Sequence, residues 1–339
     1  MKCLVTGGVG FIGSHIAENL LLNGYEVVVL DDLSGGFREN IPDGVKFVKG
    51  SITDPLVVDK AVKGCDYIFH LAAFAAEGLS HFIKRFIYEN IVIGSINLIN
   101  SAINHNIKCF VFTSSMAVYG SGQVPFTEEM IPMPEDPYGI AKRAVEQDLE
   151  ESRRMFGLDY IIFRPHNVYG NRQNIWDPYR NVIGIYFNQI MNGKPITIFG
   201  DGTQTRAFSY ITDVAPVIAK SIEVPEAYNL IFNLGSDEFC SINTLANVVS
   251  TCMEFWYKEK FGVDSWKIEY LPPRFEVKHA FSSHNRVEKI FGVKAKVSLD
   301  AGVALVAEWV KKVGPKKGKT FENIEIRKNM PPIWNNRKE

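Results

Sequence analysis

The chain has 339 residues, 46% of them hydrophobic and 12% aromatic, so it is long enough to bury one large core or two modest ones. Its 37 Lys and Arg residues balance 38 Asp and Glu residues, which excludes the strong overall charge that attracts nucleic acid or an anionic membrane. The five cysteines lack metal-type spacing, so no metal site is expected, and reduced core thiols of a cytoplasmic protein are predicted.

The first predicted element is a strand over Lys2 to Thr6. A secretory signal would instead have a basic stretch followed by an apolar one. No apolar run approaches the ~18 residues of a membrane-spanning helix, so neither a signal nor a membrane segment is expected. A glycine-rich turn follows, and then a helical pattern from Ser14 to Asn23. Such a turn lets the backbone approach a pyrophosphate, and the helix N-terminus offers free N–H groups. The predicted pyrophosphate contacts are Gly7, Gly10, Phe11, Ile12 and Gly13.

The second predicted strand, Glu26 to Leu30, leads directly into Asp31, 18 residues after Gly13. A carboxylate at this position can accept hydrogen bonds from both hydroxyls of an adenosine ribose and would repel a 2′-phosphate. NAD is therefore expected as the cofactor rather than NADP. Three further cofactor contacts are predicted in the loop that follows, Asp32, Ser34 and Gly35.

Strands and helices continue to alternate as far as Pro165. The remaining strands of this part are predicted at 45–48, 67–71, 108–113 and 160–164, and its helices at 54–63, 80–104 and 138–156. This alternation predicts an α/β fold, a Rossmann-type doubly wound parallel sheet that binds ligands at the carboxyl ends of its strands.

The pattern is less regular after Pro165. The predicted elements there are a helix at 182–191, a strand at 196–199, and helices at 211–221, 242–261 and 301–313. We therefore expect an NAD-binding domain over 1–165 and a smaller, mainly substrate-binding α/β part over 166–313, some segments of which return to the first sheet. Residues 314–339 contain three lysines and a Pro-Pro pair, and a solvated or loosely docked tail is predicted.

The stretch from Tyr138 to Lys142 is interpreted as the catalytic centre. The two residues are four apart, so a helix places them on one face. A nearby ammonium favours the phenolate, and a tyrosine needs its pKa lowered by about three units, roughly 4 kcal/mol, to act as a base at neutral pH. Because a Tyr and a Lys at this spacing also occur on ordinary helix surfaces, the interpretation depends on the other motifs of the chain.

Those motifs occur in an order that resembles the extended short-chain dehydrogenase/reductase superfamily, in its nucleotide-sugar epimerase and dehydratase branch, over about residues 1 to 313. They are the turn GGVGFIG, Asp31, the strand end HLAA from His70, Asn90 with Gly94, TSSMAVYG from Thr113, YGIAK from Tyr138, RPHNVYG from Arg164, and FGDG from Phe199 followed by Arg206.

The resemblance implies roles for individual residues. Tyr138 corresponds to the base that takes a proton from a sugar hydroxyl, Lys142 to the residue that lowers the pKa of that tyrosine and binds the nicotinamide ribose, and Ser115 to the hydroxyl that orients the same oxygen. Ser114 is the alternative to Ser115. Further cofactor contacts are implied at Ser51, where the family often has aspartate, and at Ile52, Leu71, Ala72, Ala73, Asn90 and Pro165.

A UDP-sugar substrate is implied by the same resemblance. Asn167, Arg206 and Arg274 correspond to residues that hold the nucleotide diphosphate, and Val182 is expected beside them. The residue that gates the pocket beside the C2 substituent is aligned with Ala280, or with Phe281 if the alignment shifts by one. An alanine there would admit an N-acetyl group, so UDP-N-acetylglucosamine is an expected substrate beside UDP-glucose.

The residues after Ser115 distinguish the reactions of this branch. Dehydratases need an acid and a base there, and the chain has Met116 and Ala117, which transfer no proton. NAD-dependent 4-epimerisation of a UDP-hexose through a 4-keto sugar is therefore favoured. The alternatives are another NAD-dependent nucleotide-sugar reaction (dehydration, reduction or decarboxylation) and a dinucleotide-sensing protein without catalysis. The resemblance also implies a homodimer.

Overall fold

The computed structural model describes residues 1–262, 266–274, 276–315 and 320–334. The strands are β1 (Lys2–Thr6), β2 (Glu26–Asp31), β3 (Lys46–Lys49), β4 (Tyr67–His70), β5 (Cys109–Thr113), β6 (Tyr160–Pro165), β7 (Val168–Tyr169), β8 (Ile196–Phe199), β9 (Thr205–Ala207), β10 (Ser209–Tyr210), β11 (Leu230–Leu234), β12 (Phe239–Ser241), β13 (Ile268–Leu271) and β14 (His279–Ala280). The α-helices are α1 (Phe11–Leu22), α2 (Pro55–Val62), α3 (Glu77–Ser80), α4 (Lys84–Tyr88), α5 (Gly94–Asn104), α6 (Pro137–Phe156), α7 (Val182–Met191), α8 (Ile211–Lys220), α9 (Ile242–Phe261), α10 (Asn285–Phe291) and α11 (Leu299–Val313).

The central sheet has seven parallel strands in the order β11, β6, β5, β4, β1, β2, β3. Strands β4 and β5 are buried along their whole length, as expected for a parallel sheet covered by helices on both faces. The chain order reverses at β1, which lies between β2 and β4, and this reversal opens a crevice at the carboxyl ends of the strands. The predicted Rossmann-type fold is confirmed.

The seventh strand, β11, was not predicted. It comes from residues 230–234, inside the segment expected to be mainly substrate-binding, and it pairs with β6 from Leu230 opposite Ile161 to Leu234 opposite Pro165. The smaller strands after β6 form three separate small sheets, which pair β7 with β10, β9 with β12 and β14, and β8 with β13. The second part of the chain therefore both completes the main sheet and builds the opposite side of the crevice.

The single helix predicted over residues 80–104 is interrupted. The chain forms α3 and α4, then a π-helical turn over Glu89–Ile93, and then α5. The stretch Lys84–Asn104 has the length and mean hydropathy, 1.2, of a membrane-spanning helix, yet 44% of its most apolar window is buried within the described structure. Its apolar residues, including Ile91, Leu98 and Ile99, pack in the core beside the sheet. This is the environment of a core helix.

The described part of the C-terminal segment, residues 320–334, packs against the body of the protein. The Glu325 carboxylate accepts hydrogen bonds from the backbone N–H groups of Arg85 and Phe86, both at 2.9 Å. The ring of Phe321 contacts those of Phe74 and Phe86, with centroids 5.5 and 4.9 Å apart. This segment differs from the solvated or loosely docked tail expected from the sequence, because its aromatic side chains contact residues that are distant in the sequence. Lys316, Lys317 and Lys319 lie outside the described residues.

A buried ion pair connects helix α6 to the sheet. The guanidinium of Arg164, at the end of β6, donates two hydrogen bonds to the Glu146 carboxylate, at 2.8 and 2.7 Å, and both side chains are 0–1% exposed. Burial disfavours the charged guanidinium, but the hydrogen-bonded carboxylate outweighs it and raises the pKa of Arg164. Arg164 also donates to the hydroxyl of Tyr119, which in turn donates to Asn233. The network fixes α6 relative to β6 and β11.

Arg164→Met should destabilise the protein by about 3–5 kcal/mol, because it leaves the buried Glu146 charge without its partner. Arg164→Met combined with Glu146→Leu should recover most of that loss. The control is Arg153→Met, which breaks an exposed pair with Asp159 and should cost less than about 1 kcal/mol. Urea unfolding measures all three, and equal losses for Arg164→Met and Arg153→Met would contradict this account.

Candidate functional site

One cavity of about 730 Å³ runs along the carboxyl ends of the sheet strands and continues under the C-terminal part. Its volume lies within the range of small-molecule sites. Most residues predicted from the sequence meet in its wall. They are Gly7, Gly10, Phe11, Ile12, Gly13, Asp31, Asp32, Ser34, Gly35, Ile52, Leu71, Ala72, Ala73, Asn90, Ser115, Tyr138, Lys142, Pro165, Asn167, Val182, Arg206 and Arg274.

The glycine-rich turn is packed too tightly to accept a side chain at Gly7 or Gly13. Gly7 has φ +69°, and a Cβ there would lie 2.8 Å from the backbone nitrogen of Ala72. A Cβ at Gly13 would lie 2.2 Å from the carbonyl oxygen of Gly7. Helix α1 begins at Phe11, three residues earlier than predicted, and no side chain caps its N-terminus. Its first N–H groups are therefore available to an anion such as a pyrophosphate.

Asp31 lies at the end of β2, beside the turn. Its carboxylate accepts hydrogen bonds from the backbone N–H groups of Leu33, at 2.8 Å, and Val9, at 3.2 Å. Burial raises the pKa of Asp31, and the two hydrogen bonds oppose that rise. The carboxylate is thus held against the turn at the position predicted for ribose recognition.

Tyr138 and Lys142 lie on the first two turns of α6, which begins at Pro137 with Asp136 as its N-cap. The Lys142 ammonium donates to the carbonyl oxygen of Thr113 at 2.7 Å and lies 5.8 Å from the centre of the Tyr138 ring. Burial lowers the pKa of Lys142 to about 7. Burial also raises the pKa of Tyr138, against the opposing hydrogen bond with Ser115. In the protein alone Tyr138 is therefore neutral at pH 7, while Lys142 gains or loses its proton close to this pH.

The two neighbouring serines have different partners. The Ser114 hydroxyl donates to the Glu146 carboxylate at 2.6 Å. The Ser115 hydroxyl is hydrogen-bonded to Tyr138 and also accepts from the backbone N–H of Ala117 at 3.1 Å. Of the two serines, Ser115 is thus the one whose hydroxyl meets the tyrosine, and Ser114 supports the buried network.

Arg206 and Arg274 lie at the other end of the cavity, on both sides of Glu276. Arg274 donates to the Glu276 carboxylate at 2.9 and 3.0 Å, and its guanidinium lies 4.7 Å from the centre of the Phe199 ring. Arg206 donates to backbone carbonyl oxygens, including those of Thr205 and Lys278, and lies 3.9 Å from Glu276. Burial lowers the pKa of Arg206. The two arginines provide a cationic region suited to a diphosphate.

Two residues of the predicted set do not reach the cavity wall. Ser51 lies between two wall residues, but its hydroxyl meets that of Thr53 at 2.9 Å. Ala280 is buried in a small cluster with Val118, Tyr119 and Phe126, on the two-residue strand β14. Its position does not support the predicted role of a gate beside the sugar.

Several wall residues were not predicted as site residues. The sequence analysis did not assign Glu276 a role, and nothing near Trp334 indicated a ligand. Glu77 was noticeable only as part of a segment, Phe74 to Gly78, that departs from the commoner family sequence. The structure places all three side chains in the wall of the cavity.

Comparisons with known proteins agree with this geometry. The sequence profile of the NAD dependent epimerase/dehydratase family matches residues 3–235. A UDP-glucose 4-epimerase of Mycolicibacterium smegmatis is 31% identical over 320 residues, which cover 91% of this chain and 98% of that protein. The crystal structure of a UDP-glucose 4-epimerase of Thermotoga maritima with UDP-glucose superposes with a TM-score of 0.83 at 34% identity, covering 92% of this chain and 99% of that chain.

A second similar structure was solved with a different sugar. It is a UDP-glucuronic acid 4-epimerase of Bacillus cereus in complex with UDP-glucuronic acid and NAD, with a TM-score of 0.82 and 27% identity, covering 92% of this chain and all of that chain. The chain belongs to the NAD dependent epimerase/dehydratase family of the extended short-chain dehydrogenase/reductases. NAD is accordingly its cofactor. The turn at Gly7 and Gly13, which carries no side chains, and the uncapped N-terminus of α1 fit the pyrophosphate of that molecule, and the carboxylate of Asp31 fits its adenosine ribose.

Gly13→Ala should reduce the NAD content of the purified protein, because the added methyl group would collide with the Gly7 carbonyl oxygen. Gly24→Asn serves as the control, since Gly24 lies away from the cavity in an open turn at φ +81°, which asparagine tolerates. The ratio of absorbance at 260 and 280 nm, with release of bound nucleotide by acid, measures the content. Full NAD content in a folded Gly13→Ala variant would contradict this role of the turn.

Proposed function

We propose that this protein interconverts the C4 epimers of a UDP-hexose, with UDP-glucose and UDP-galactose as the first candidates. The observation that supports the proposal best is the arrangement of the cavity. Tyr138, Lys142 and Ser115 lie together beside the dinucleotide turn, and Arg206 and Arg274 line the same cavity. A sugar between the two groups would present a ring hydroxyl to Tyr138 while its diphosphate meets the arginines.

The proposed mechanism assigns the proton to the protein. Tyr138 takes the proton of the C4 hydroxyl, Ser115 orients that oxygen by hydrogen bonding, and Lys142 stabilises the phenolate. The chemistry that bound NAD would supply is reversible hydride acceptance at C4, which would allow the hydride to return to the opposite face of the 4-keto sugar. Because the hydride and the proton are both returned, the cofactor is unchanged over a turnover.

The electrostatics of the site support this division of roles. Burial and the carboxyl groups of Glu77 and Asp136 disfavour the phenolate of Tyr138 in the protein alone. Lys142 donates a hydrogen bond to the carbonyl oxygen of Thr113. It lies close enough to Tyr138 to stabilise a negative charge on the tyrosine when the lysine is protonated. Oxidised NAD, held by the residues of the turn and by Lys142, would add a positive charge near Tyr138. The base would therefore be activated only when the cofactor occupies the site.

Two residues argue against dehydration. Met116 and Ala117 follow Ser115 and offer no group for elimination of water. Dehydration, reduction and decarboxylation remain alternative reactions. UDP-N-acetylglucosamine is a further candidate substrate, although Ala280 does not line the cavity.

We also propose a cytoplasmic homodimer. Ile93, at the end of the π-helical turn, and Ile140, on α6, are 50% and 42% exposed, and their helices contact each other within the subunit. A second copy could cover both side chains by packing α5 and α6 against their counterparts.

Tyr138→Phe should lower the turnover of UDP-galactose to UDP-glucose by at least about 100-fold, because it removes the proposed base. NAD should stay bound, since the substitution leaves the turn unchanged. Tyr270→Phe is the matched control, because its exposed hydroxyl contacts Asn243 and does not line the cavity. A coupled assay with UDP-glucose dehydrogenase measures the rates. A Tyr138→Phe variant as active as Tyr270→Phe would rule out the proposed mechanism.

A further inference from the structure

Glu77, the first residue of α3, has its side chain in the cavity between the two ends of the site. The side chain is exposed to the interior of the cavity while protein surrounds it. Glu77 shares the cavity wall with Tyr138, Arg206 and Arg274, and a Cβ on the neighbouring Gly78 would lie 3.7 Å from a guanidinium nitrogen of Arg274. No hydrogen bond to its carboxylate is present among the described residues. The carboxylate is therefore available to a ligand.

The position of Glu77 defines which part of the ligand it meets. A nucleotide sugar must place its reacting hydroxyl at Tyr138 and its diphosphate near the arginines. Because Glu77 lines the same cavity as both groups, a sugar ring that joins these two points passes beside Glu77. Its carboxylate can accept a hydrogen bond from a sugar hydroxyl or from an acetamido N–H.

The same position is unfavourable for a negatively charged sugar. Arg274 is already paired with Glu276, and Arg206 donates to three backbone carbonyl groups. Both arginines are also needed for the diphosphate. A carboxylate on the sugar would thus lie near Glu77 without a cation of its own, and like charges in a partly desolvated site repel strongly.

We propose that Glu77 determines the substrate class of this site: it binds uncharged hexoses and N-acetylhexosamines linked to the nucleotide, and it excludes nucleotide-linked uronic acids. This inference rests on the proposed function and makes it more specific. It separates this chain from the Bacillus cereus relative that was solved with UDP-glucuronic acid, although the two folds are closely similar.

The C-terminal segment holds Glu77 in place. Trp334 is 7% exposed. It lies against Gly78, the residue after Glu77, since a Cβ on Gly78 would be 3.2 Å from the Trp334 ring. The indole contacts the rings of Tyr179 and Phe82, with centroids 5.5 and 6.3 Å apart. On the other side, the Ser80 hydroxyl donates to the Glu77 carbonyl oxygen at 2.6 Å. Trp334 is thus a positioning residue, which acts through α3.

The test compares UDP-glucose with UDP-glucuronate in the wild type and in Glu77→Gln, which keeps the shape and removes the charge. Glu151→Gln, on the exposed face of α6, is the control for the change in net charge. The ratio of kcat/KM for UDP-glucose over UDP-glucuronate should fall at least about tenfold in Glu77→Gln, corresponding to about 1.4 kcal/mol. It should stay at the wild-type value in Glu151→Gln. An unchanged ratio in folded Glu77→Gln would overturn the proposal.

The discrimination should also depend on pH. Burial and the neighbouring Asp136 raise the pKa of Glu77 to about 7, while Arg206 and Arg274 oppose the rise and Glu276 adds to it. The negative charge of Glu77 also acts to raise the pKa values of the titratable groups Tyr138 and His81. Since the carboxyl group is neutral below this pKa and ionised above it, the ratio should increase from pH 6 to pH 8 in the wild type. A flat wild-type profile, or an equal increase in Glu77→Gln, would contradict the role of this charge.

Binding measurements separate this proposal from the proposed reaction. Calorimetric titration of the NAD-loaded protein with UDP-glucose and UDP-glucuronate tests Glu77 even if neither is converted. Absence of 4-epimerisation together with a Glu77-dependent preference for UDP-glucose would reject the reaction and keep the specificity. Epimerisation of UDP-glucose together with a substrate preference that Glu77→Gln leaves unchanged would support the reaction and reject the role of Glu77 in specificity.

Trp334→Ala should weaken the same discrimination and raise KM more than it lowers kcat, because α3 loses its outer contact. Trp334→Phe keeps an aromatic ring at that position and should restore most of the ratio. Wild-type discrimination in Trp334→Ala would show that the C-terminal segment does not position Glu77.

Discussion

The bidentate ion pair between Glu146 and Arg164 is the contact on which the geometry of the site depends. Glu146 lies one turn after Lys142 on α6, and Arg164 lies one residue before the end of β6. The pair therefore sets how far the helix that bears Tyr138 lies from the strand ends that bear the serines. The Ser114 hydroxyl joins the same carboxylate, which leaves Ser115 to meet the tyrosine. A charge pair with this degree of burial tolerates little displacement, since each partner would be strongly destabilised without the other.

This rigid support carries a reactive pair that is held inactive by its environment. Burial disfavours both the phenolate of Tyr138 and the ammonium of Lys142 in the protein alone. A positive charge on a bound cofactor would favour the phenolate, and a phenolate would favour the ammonium. In this account, cofactor and protein together create the base, which agrees with an enzyme that retains its NAD throughout the cycle.

Much of the fold and of the cofactor half of the site was predictable, because the turn, Asp31 and the Tyr138–Lys142 pair are local patterns in a regular alternation of strands and helices. The interruption of the predicted helix 80–104 could not be predicted, because its apolar pattern continues through the π-helical turn that contains Asn90. Only the number of residues per turn differs there. The gate predicted at Ala280, or at Phe281, came from a short alignment, and no periodicity indicates which way a two-residue strand faces. Trp334 could not be assigned, because contacts from far away in the chain, at Phe82 and Tyr179, determine its position.

The most direct test of the central claim is to incubate the purified protein, without added cofactor, with UDP-glucose that carries deuterium at C4, and to follow both epimers by proton NMR. The account predicts conversion to UDP-galactose with the deuterium retained at C4, because the same hydride leaves and returns within the site. Protium at C4 of the product, or conversion that requires a stoichiometric supply of NAD, would contradict it.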